Sequence, residues 1–392
     1  MIIFERLSVT KRAASFVYLA LFRHLCNMIE SRIYMIGGLP FEVSLERPWT
    51  FKELTDEQKV LVARLKAGED VGVIPIPADK VSELGVNEKA MGKEAMTREL
   101  WETLSEEERS AFRHSLDFLQ YAPFEVSGDS LSRAPISHLT VHASFPEGLD
   151  NEIKGAMRVV AVDEVPPIYY GYRSGDKTIY EFFPAEGVSA GVFVMSGDSA
   201  TGDYYPRERM GARITGMQVN TSLMILYTFA GSKEGALLLH ASMPRHNGRA
   251  NLFFGVSGTG KSTHSRLWLE NVPGVDIMND DNPIVRFEDG VAVAYGSPWS
   301  GKTLCYRNVK APVRAMVRLE QRPENHIERL SGLQAYASII AAVSTIRWDS
   351  SVMSRIIPLV ERVAMEVPCW HLGCRPDREA VEVCKTAIEG ND

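Results

Sequence analysis

Gly255-Val256-Ser257-Gly258-Thr259-Gly260-Lys261-Ser262 is entered by an apolar run, Ala250-Asn251-Leu252-Phe253-Phe254, and followed by a helical stretch, Ser262 to Glu270. The eight residues fit the phosphate-loop pattern G-x-x-x-x-G-K-[ST] in full. Each position has a physical reason. Glycines 255, 258 and 260 let the backbone turn tightly and bring successive N–H groups toward phosphates. The helix adds the positive end of its dipole. Lys261 supplies a mobile positive charge for β- and γ-phosphates, and the Ser262 hydroxyl can ligate Mg²⁺. The expected nucleotide contacts run from Gly255 through Val256, Ser257, Gly258, Thr259, Gly260, Lys261 and Ser262 to Thr263.

Downstream, Val275 to Met278 reads as a buried strand ending in Asn279-Asp280-Asp281, with the aspartates 19 and 20 residues after Lys261. Alone, an Asp-Asp pair is an ordinary solvated turn. Beside a phosphate loop, one carboxylate can hold a divalent ion while the other accepts a proton from an attacking hydroxyl. Upstream, Ala236 to His240 reads as a strand. Further along, Ile284–Phe287 and Val291–Tyr295 predict a hairpin through Asp289-Gly290. Val313 to Leu319 predicts a strand, Glu328 to Val367 mostly helix, Cys369 to Cys374 a strand and Pro376 to Glu389 a helix.

In this region the chain resembles a known superfamily. Phe253 to Ser262 closely resembles the phosphate loop of ATP-dependent phosphoenolpyruvate carboxykinases. His240-Ala241-Ser242, 21 residues before Lys261, resembles the segment of that family whose histidine binds a metal, and HPr kinase/phosphorylases carry a histidine at nearly the same place. Asp280-Asp281 resembles the paired aspartates of both families. Gly296 to Thr303 resembles the carboxykinase segment whose lysine, here Lys302, touches the γ-phosphate. The resemblance covers residues 236–303. It implies an α/β fold: a C-terminal phosphate-loop kinase domain of the carboxykinase/HPr-kinase type with a mixed sheet, preceded by an α+β domain. It also implies ATP with Mg²⁺ or Mn²⁺ as cofactors. Lys261, Asp280 and Lys302 would be catalytic, and Ser262, Asp280, Asp281 and His240 would hold metal; apart from the resemblance, Arg307 in Cys305-Tyr306-Arg307-Asn308 is a further candidate for the catalytic set as an anion binder, with a solvated surface position as the alternative. His240, Asp280 and Asp281 would meet if their strands are parallel neighbours.

The departures are specific. Carboxykinases place a metal-binding lysine about 19 residues before the histidine, by family resemblance. Met210 to Ser232 contains none, and Lys233 lies too close. The Gly- and Pro-rich adenine-pocket sequence is absent, and the chain is much shorter. These differences argue against oxaloacetate decarboxylation. The expected reaction is ATP-dependent transfer to a hydroxyl acceptor, on a protein serine or a small molecule. A carboxykinase-like lyase and a non-catalytic nucleotide-binding accessory protein are the alternatives.

Outward from this core, the 392 residues suggest two or three domains. A formal charge of −7 argues against a nucleic-acid partner. Five scattered cysteines do not form a disulfide framework and point to a reducing, cytoplasmic setting. Ala13 to Phe22 is apolar but too short to span a bilayer and lacks a signal cleavage site. Residues 1–34 therefore read as an extension, with Met28 or Met35 as alternative starts, or as an amphipathic helix. Residues 35–225 read as the α+β domain and 226–392 as the phosphate-loop domain, the boundary lying between Met210 and Gly235. Within the first, Thr55 and Gln58 form a capping box for a helix ending near Gly68. Val71–Ile76 alternates like a strand. Asn87 to Gln120 reads as a helical insertion, with Ser105 and Glu108 as a second capping box. Strands are expected at Thr140–Ala143, Arg158–Val162, Ile168–Tyr172 and Gly191–Met195. Tyr204-Tyr205-Pro206-Arg207 is a possible substrate loop. Cys369 to Cys374, with His371, lacks the second ligand pair of a zinc site and reads as plain strand. Oligomerisation is left open.

Overall fold

The computed structural model describes residues 29–67, 69, 74–75, 114–162, 168–185, 187–207, 210–301 and 303–390. The first half contains β1 (Ile29–Ile36), β2 (Leu39–Glu46), β3 (Thr50–Phe51), α1 (Asp56–Lys66), β4 (Ile74–Pro75), β5 (Ser115–Leu116), a 3₁₀ turn at Leu119–Phe124 and β6 (Glu125–Val126). It continues with β7 (Ser137–Val141), α2 (Leu149–Gly155), β8 (Met157–Val162), β9 (Ile168–Ser174), β10 (Lys177–Phe183), β11 (Gly191–Met195) and β12 (Thr201–Pro206). The large sheet is nine-stranded and mixed, in the order β6-β1-β2-β7-β12-β11-β10-β9-β8. β7 lies parallel to both β2 and β12; the other pairings are antiparallel. Alternation puts Phe41, Val43, Leu45, Leu139, Val141, Tyr180, Phe182, Phe193 and Tyr204 on one buried face.

Several expectations change here. Ile29–Tyr34, assigned by sequence to an extension or helix, form strand β1 in register with Phe41–Glu46, and Tyr34 is buried. Residues 1–28 lie outside the described residues. So do 87–113 of the expected helical insertion, with the Ser105–Glu108 box, and Gly68. In its remainder His114 is helical, Ser115–Leu116 pair with Thr50–Phe51, and the 3₁₀ turn follows. Of the strand expected at 71–76, residues 74–75 are described as β4. The Thr55–Gln58 capping box is present as read.

The chain then enters α3 (Ala212–Lys233), a 22-residue helix. It runs unbroken through positions 225 and 226. Val219, Leu223, Leu226, Tyr227 and Ala230 are buried in the same core as the large sheet and as Leu252, Phe254 and Ile284 of the second half. β13 (Leu237–Leu238), β14 (Ala241–His246), β15 (Arg249–Phe254), α4 (Lys261–Asn271), β16 (Asp276–Asp281), β17 (Ile284–Glu288) and β18 (Val291–Tyr295) follow. The chain ends with β19 (Thr303–Leu304), β20 (Lys310–Gln321), β21 (His326–Leu330), α5 (Gly332–Ala342), α6 (Ser350–Glu366), β22 (Cys369–Cys374) and α7 (Arg378–Glu389). The strand expected over 236–240 is split, with His240 in the joint between β13 and β14, and residues 328–330 are strand, not helix.

The second sheet, also nine-stranded and mixed, runs β13-β17-β18-β20-β15-β14-β16, with β22 and β21 added beside β20. One face joins the common core. The other buries Phe253, Val317 and Leu372 against Trp268 of α4 and Val381, Cys384 and Ile388 of α7. The chain is thus a mixed α/β protein with two large mixed sheets. No helix among the described residues is long and apolar enough to cross a membrane.

Candidate functional site

The site forms where three neighbouring strands end. β14 is antiparallel to both β15 and β16, with Ala241 opposite Phe254 on one side and Asp281 on the other. β15 and β16 therefore leave the sheet at the edge where β14 enters it. Gly255, His240 and Asp281 emerge side by side, one strand spacing of about 4.8 Å apart. The convergence expected from parallel neighbours thus comes from an antiparallel strand between two like-directed ones.

Gly255 begins the loop. A Cβ there would lie 2.9 Å from the Leu319 carbonyl oxygen of β20, so only glycine fits. Gly258 and Gly260 have φ of 82° and 101°, and Gly260 is the helix N-cap. No side chain caps α4, so its first N–H groups face the loop without a protein acceptor from the cap residue. Thr259 Oγ1 donates to the Val256 carbonyl, and Gln321 Nε2 donates to that of Gly258 at 3.1 Å. Val256 and Ser257 are exposed at the tip, Ser262 is exposed and Thr263 half-buried. Lys261 folds back across the mouth, its Nζ donating to the carbonyls of Gly255 at 3.2 Å and Val256 at 3.4 Å.

Four charged or titratable groups meet at this mouth. His240 Nε2 stands 3.5 Å from Asp281 Oδ1, and Asn282 Nδ2 donates to Asp281 Oδ2 at 2.7 Å. Asp280 is buried, and its Oδ1 is without a hydrogen-bond partner. Burial pushes the Asp281 carboxyl up; His240 and Lys261 oppose that, and Asp280 adds to it. Burial and the positive Lys261 push His240 down, against the pull of Asp281. Lys261 is itself pushed down by burial, against the pull of Asp281 and Asp280. An orphaned carboxylate oxygen and a lysine turned onto carbonyls suit a place built for another charged group.

Asn279 organises the aspartates and is a residue that sequence reading did not single out. It is fully buried. Its Nδ2 faces the carbonyls of Ser297, Trp299 and Cys305 and the Ser297 hydroxyl at 3.2–3.4 Å. Its Oδ1 accepts from the N–H groups of Asp281 at 3.2 Å and Asn282 at 2.9 Å. The 296–305 loop is thereby tied to the end of β16, and Gly301 N–H donates to the Asp280 carbonyl at 3.0 Å. An asparagine directly after the apolar Val275–Met278 stretch, still within the strand, was the available signal.

Other expected residues fall elsewhere. Lys302 lies outside the described residues. Arg307, expected to bind anions, is buried at the opposite end of β16. It donates to Asp276 at 2.7 Å and to the Ile277 carbonyl at 2.8 Å, and Asp276 is shared with Arg245. That is a structural ion-pair cluster, away from the loop. Among the described residues no three His, Cys, Asp or Glu side chains close on a common metal position, so His240, Asp280 and Asp281 do not by themselves make one. The span expected to hold a metal-binding lysine is mostly α3, packed in the core. His371 sits between Glu320 and Glu328 on β22, and Arg207 pairs with Asp150.

No protein-family model matches the chain, and no curated protein matches it. Among solved structures, it is similar to the HPr(Ser) kinase/phosphatase from Coxiella burnetii, at 12% identity and a TM-score of 0.24, over 40% of this chain and 99% of that one. A likeness of that size leaves each residue's role to its own geometry.

Proposed function

We propose that the chain transfers the γ-phosphoryl group of ATP to a hydroxyl acceptor, on a protein serine or a small molecule. The observation that carries this reading is the meeting of Lys261, His240, Asp280 and Asp281 at an uncapped, glycine-led helix start. The donor set fits a magnesium nucleotide. The loop and helix start offer N–H groups to phosphate oxygens. The Asp281 carboxylate and the Ser262 hydroxyl are hard ligands of the kind Mg²⁺ takes alongside phosphate oxygens and water, which leaves the unpartnered Asp280 oxygen for the acceptor hydroxyl.

A bound divalent ion supplies charge neutralisation across the phosphate oxygens. The side chains do the rest. Lys261 leaves its carbonyl contacts to stabilise charge on the moving group, a role Lys302 shares. Asp280 accepts the proton of the acceptor hydroxyl. Asp281, supported by Asn282 and His240, would hold the metal side. Arg307 has no part in this reading.

The two aspartates separate in a test with γ-labelled ATP. Asp280→Asn keeps shape but cannot take a proton at neutral pH. It should slow transfer by about 10²–10⁴-fold, with metal dependence unchanged. Asp281→Asn should weaken apparent Mg²⁺ or Mn²⁺ affinity and recover with excess metal. If excess metal restores both variants equally, the division of roles is wrong.

A further inference from the structure

The loop that backs the aspartates is anchored in the first half of the chain. Trp299, buried, lies in the 296–305 segment, next to Ser300 and Gly301. Ser300 bridges to Asp281, and Gly301 N–H donates to the Asp280 carbonyl. The Trp299 side chain points the other way. Its Nε1–H donates to Tyr121 Oη at 3.1 Å, and Tyr121 donates to Asn220 Oδ1 of α3 at 2.6 Å. Gln120 Nε2 donates to the same Asn220 oxygen at 2.6 Å. The Trp299 ring meets Tyr227 edge-on at 5.1 Å, and Tyr227 Oη donates to the Ile36 carbonyl at 3.4 Å. Just beyond, Thr303 and Leu304 pair antiparallel with Pro75 and Ile74.

We infer that Tyr121 is a positioning residue for the phosphoryl-transfer site. Through Trp299 it fixes the loop against which Asp280 and Asp281 are set. This rests on the function proposed above. The physical case is one of specification. A buried indole in an apolar pocket can slide or rotate with little change in contact area. A buried N–H that must meet one oxygen cannot, because leaving it unpaired costs about 1–3 kcal/mol. Tyr121 is itself held by Asn220, so the bond fixes Trp299 in depth and rotation. Among the described residues the loop that follows β15 has no such tie to the first half of the chain; its side-chain tie is to Gln321 of β20. Loss of the Tyr121 hydroxyl should therefore affect geometry at the aspartates and spare nucleotide binding.

The test compares Tyr121→Phe with Val192→Ala, which disturbs the satellite core of Leu149, Ile153 and Ile179 on the far face of the first sheet. Displacements of about 1 Å at a reacting group cost up to about 10²-fold. Tyr121→Phe should lower kcat by about 10-fold with ATP affinity unchanged within a factor of two, and Val192→Ala should leave kcat alone. Hydrogen exchange gives a readout independent of activity. In Tyr121→Phe the amides of Ser300 and Gly301 should exchange faster, and those of 250–254 should not. Unchanged exchange at 300–301, or a change no larger than in Val192→Ala, would overturn the assignment. If the parent shows no transfer with any acceptor, the functional reading fails, and the exchange arm still decides the anchoring.

Discussion

Removing the Asn279 side chain tests how the aspartates are held. In Asn279→Ala the N–H groups of Asp281 and Asn282 lose their acceptor, and the turned-in carbonyls of Ser297, Trp299 and Cys305 lose their shared donor. Asn282 is buried, so its N–H carries the full cost of an unmet donor, about 1–3 kcal/mol. Asp281 is partly exposed, and water can meet part of its need. The carbonyls keep second lone pairs and lose less. The sum is about 2–4 kcal/mol. For a chain of this size each kcal/mol moves the melting temperature by about 2 °C, so a drop of about 4–8 °C is expected by scanning calorimetry. Below that temperature the folded variant should still bind ATP through the phosphate loop yet transfer phosphoryl groups poorly, because Asp280 and Asp281 are no longer aimed. A drop under about 1 °C would refute the hydrogen-bond account. Full transfer by the folded variant would refute the link to the site.

Asp276→Asn should destabilise by about 3–5 kcal/mol, since it removes the carboxylate charge shared by the buried Arg307 and by Arg245. Burial works against the Asp276 carboxylate, but bonds to Arg245 and Arg307 outweigh it and hold its pKa below the usual range. The stability it confers is therefore present above the ordinary carboxylate pKa and lost as pH falls through the depressed folded value. Acid titration of the melting temperature should show that loss in the parent and a flatter curve in the variant; ATP affinity should not change, and a selective loss of it would return Arg307 to the anion site.

The second half was legible where local chemistry and tertiary structure agree. The apolar run of β15 ends at a glycine that the neighbouring strand requires, and Asp289-Gly290 make the tight turn between β17 and β18 with φ of 48° and 83°. β14 escaped notice because Pro244 and Arg245 break its pattern; Pro244 sits where the pairing register with β16 shifts, a place that tolerates the missing N–H. α3 escaped because its second half, Ile225 to Ser232, is buried all round. A helix packed between two sheets has no polar stripe to give a period. At the site, Lys261, His240, Asp280 and Asp281, each named from the sequence, stand at one mouth. The supports of Asn279, Trp299 and Tyr121 were not legible, since such partners are brought together only by the fold. Arg307 meets Asp276, 31 residues away in sequence, and only the fold brings that contact together.

Lys261 decides the central claim. ATP binding by calorimetry and transfer of labelled γ-phosphate would be measured for the parent and Lys261→Ala, with Mg²⁺ present. The account predicts that the parent binds ATP and moves the label. It predicts that Lys261→Ala stays folded but loses transfer by at least about 10²-fold, the scale set by removing one charge-stabilising donor. Equal transfer by the two proteins would contradict it.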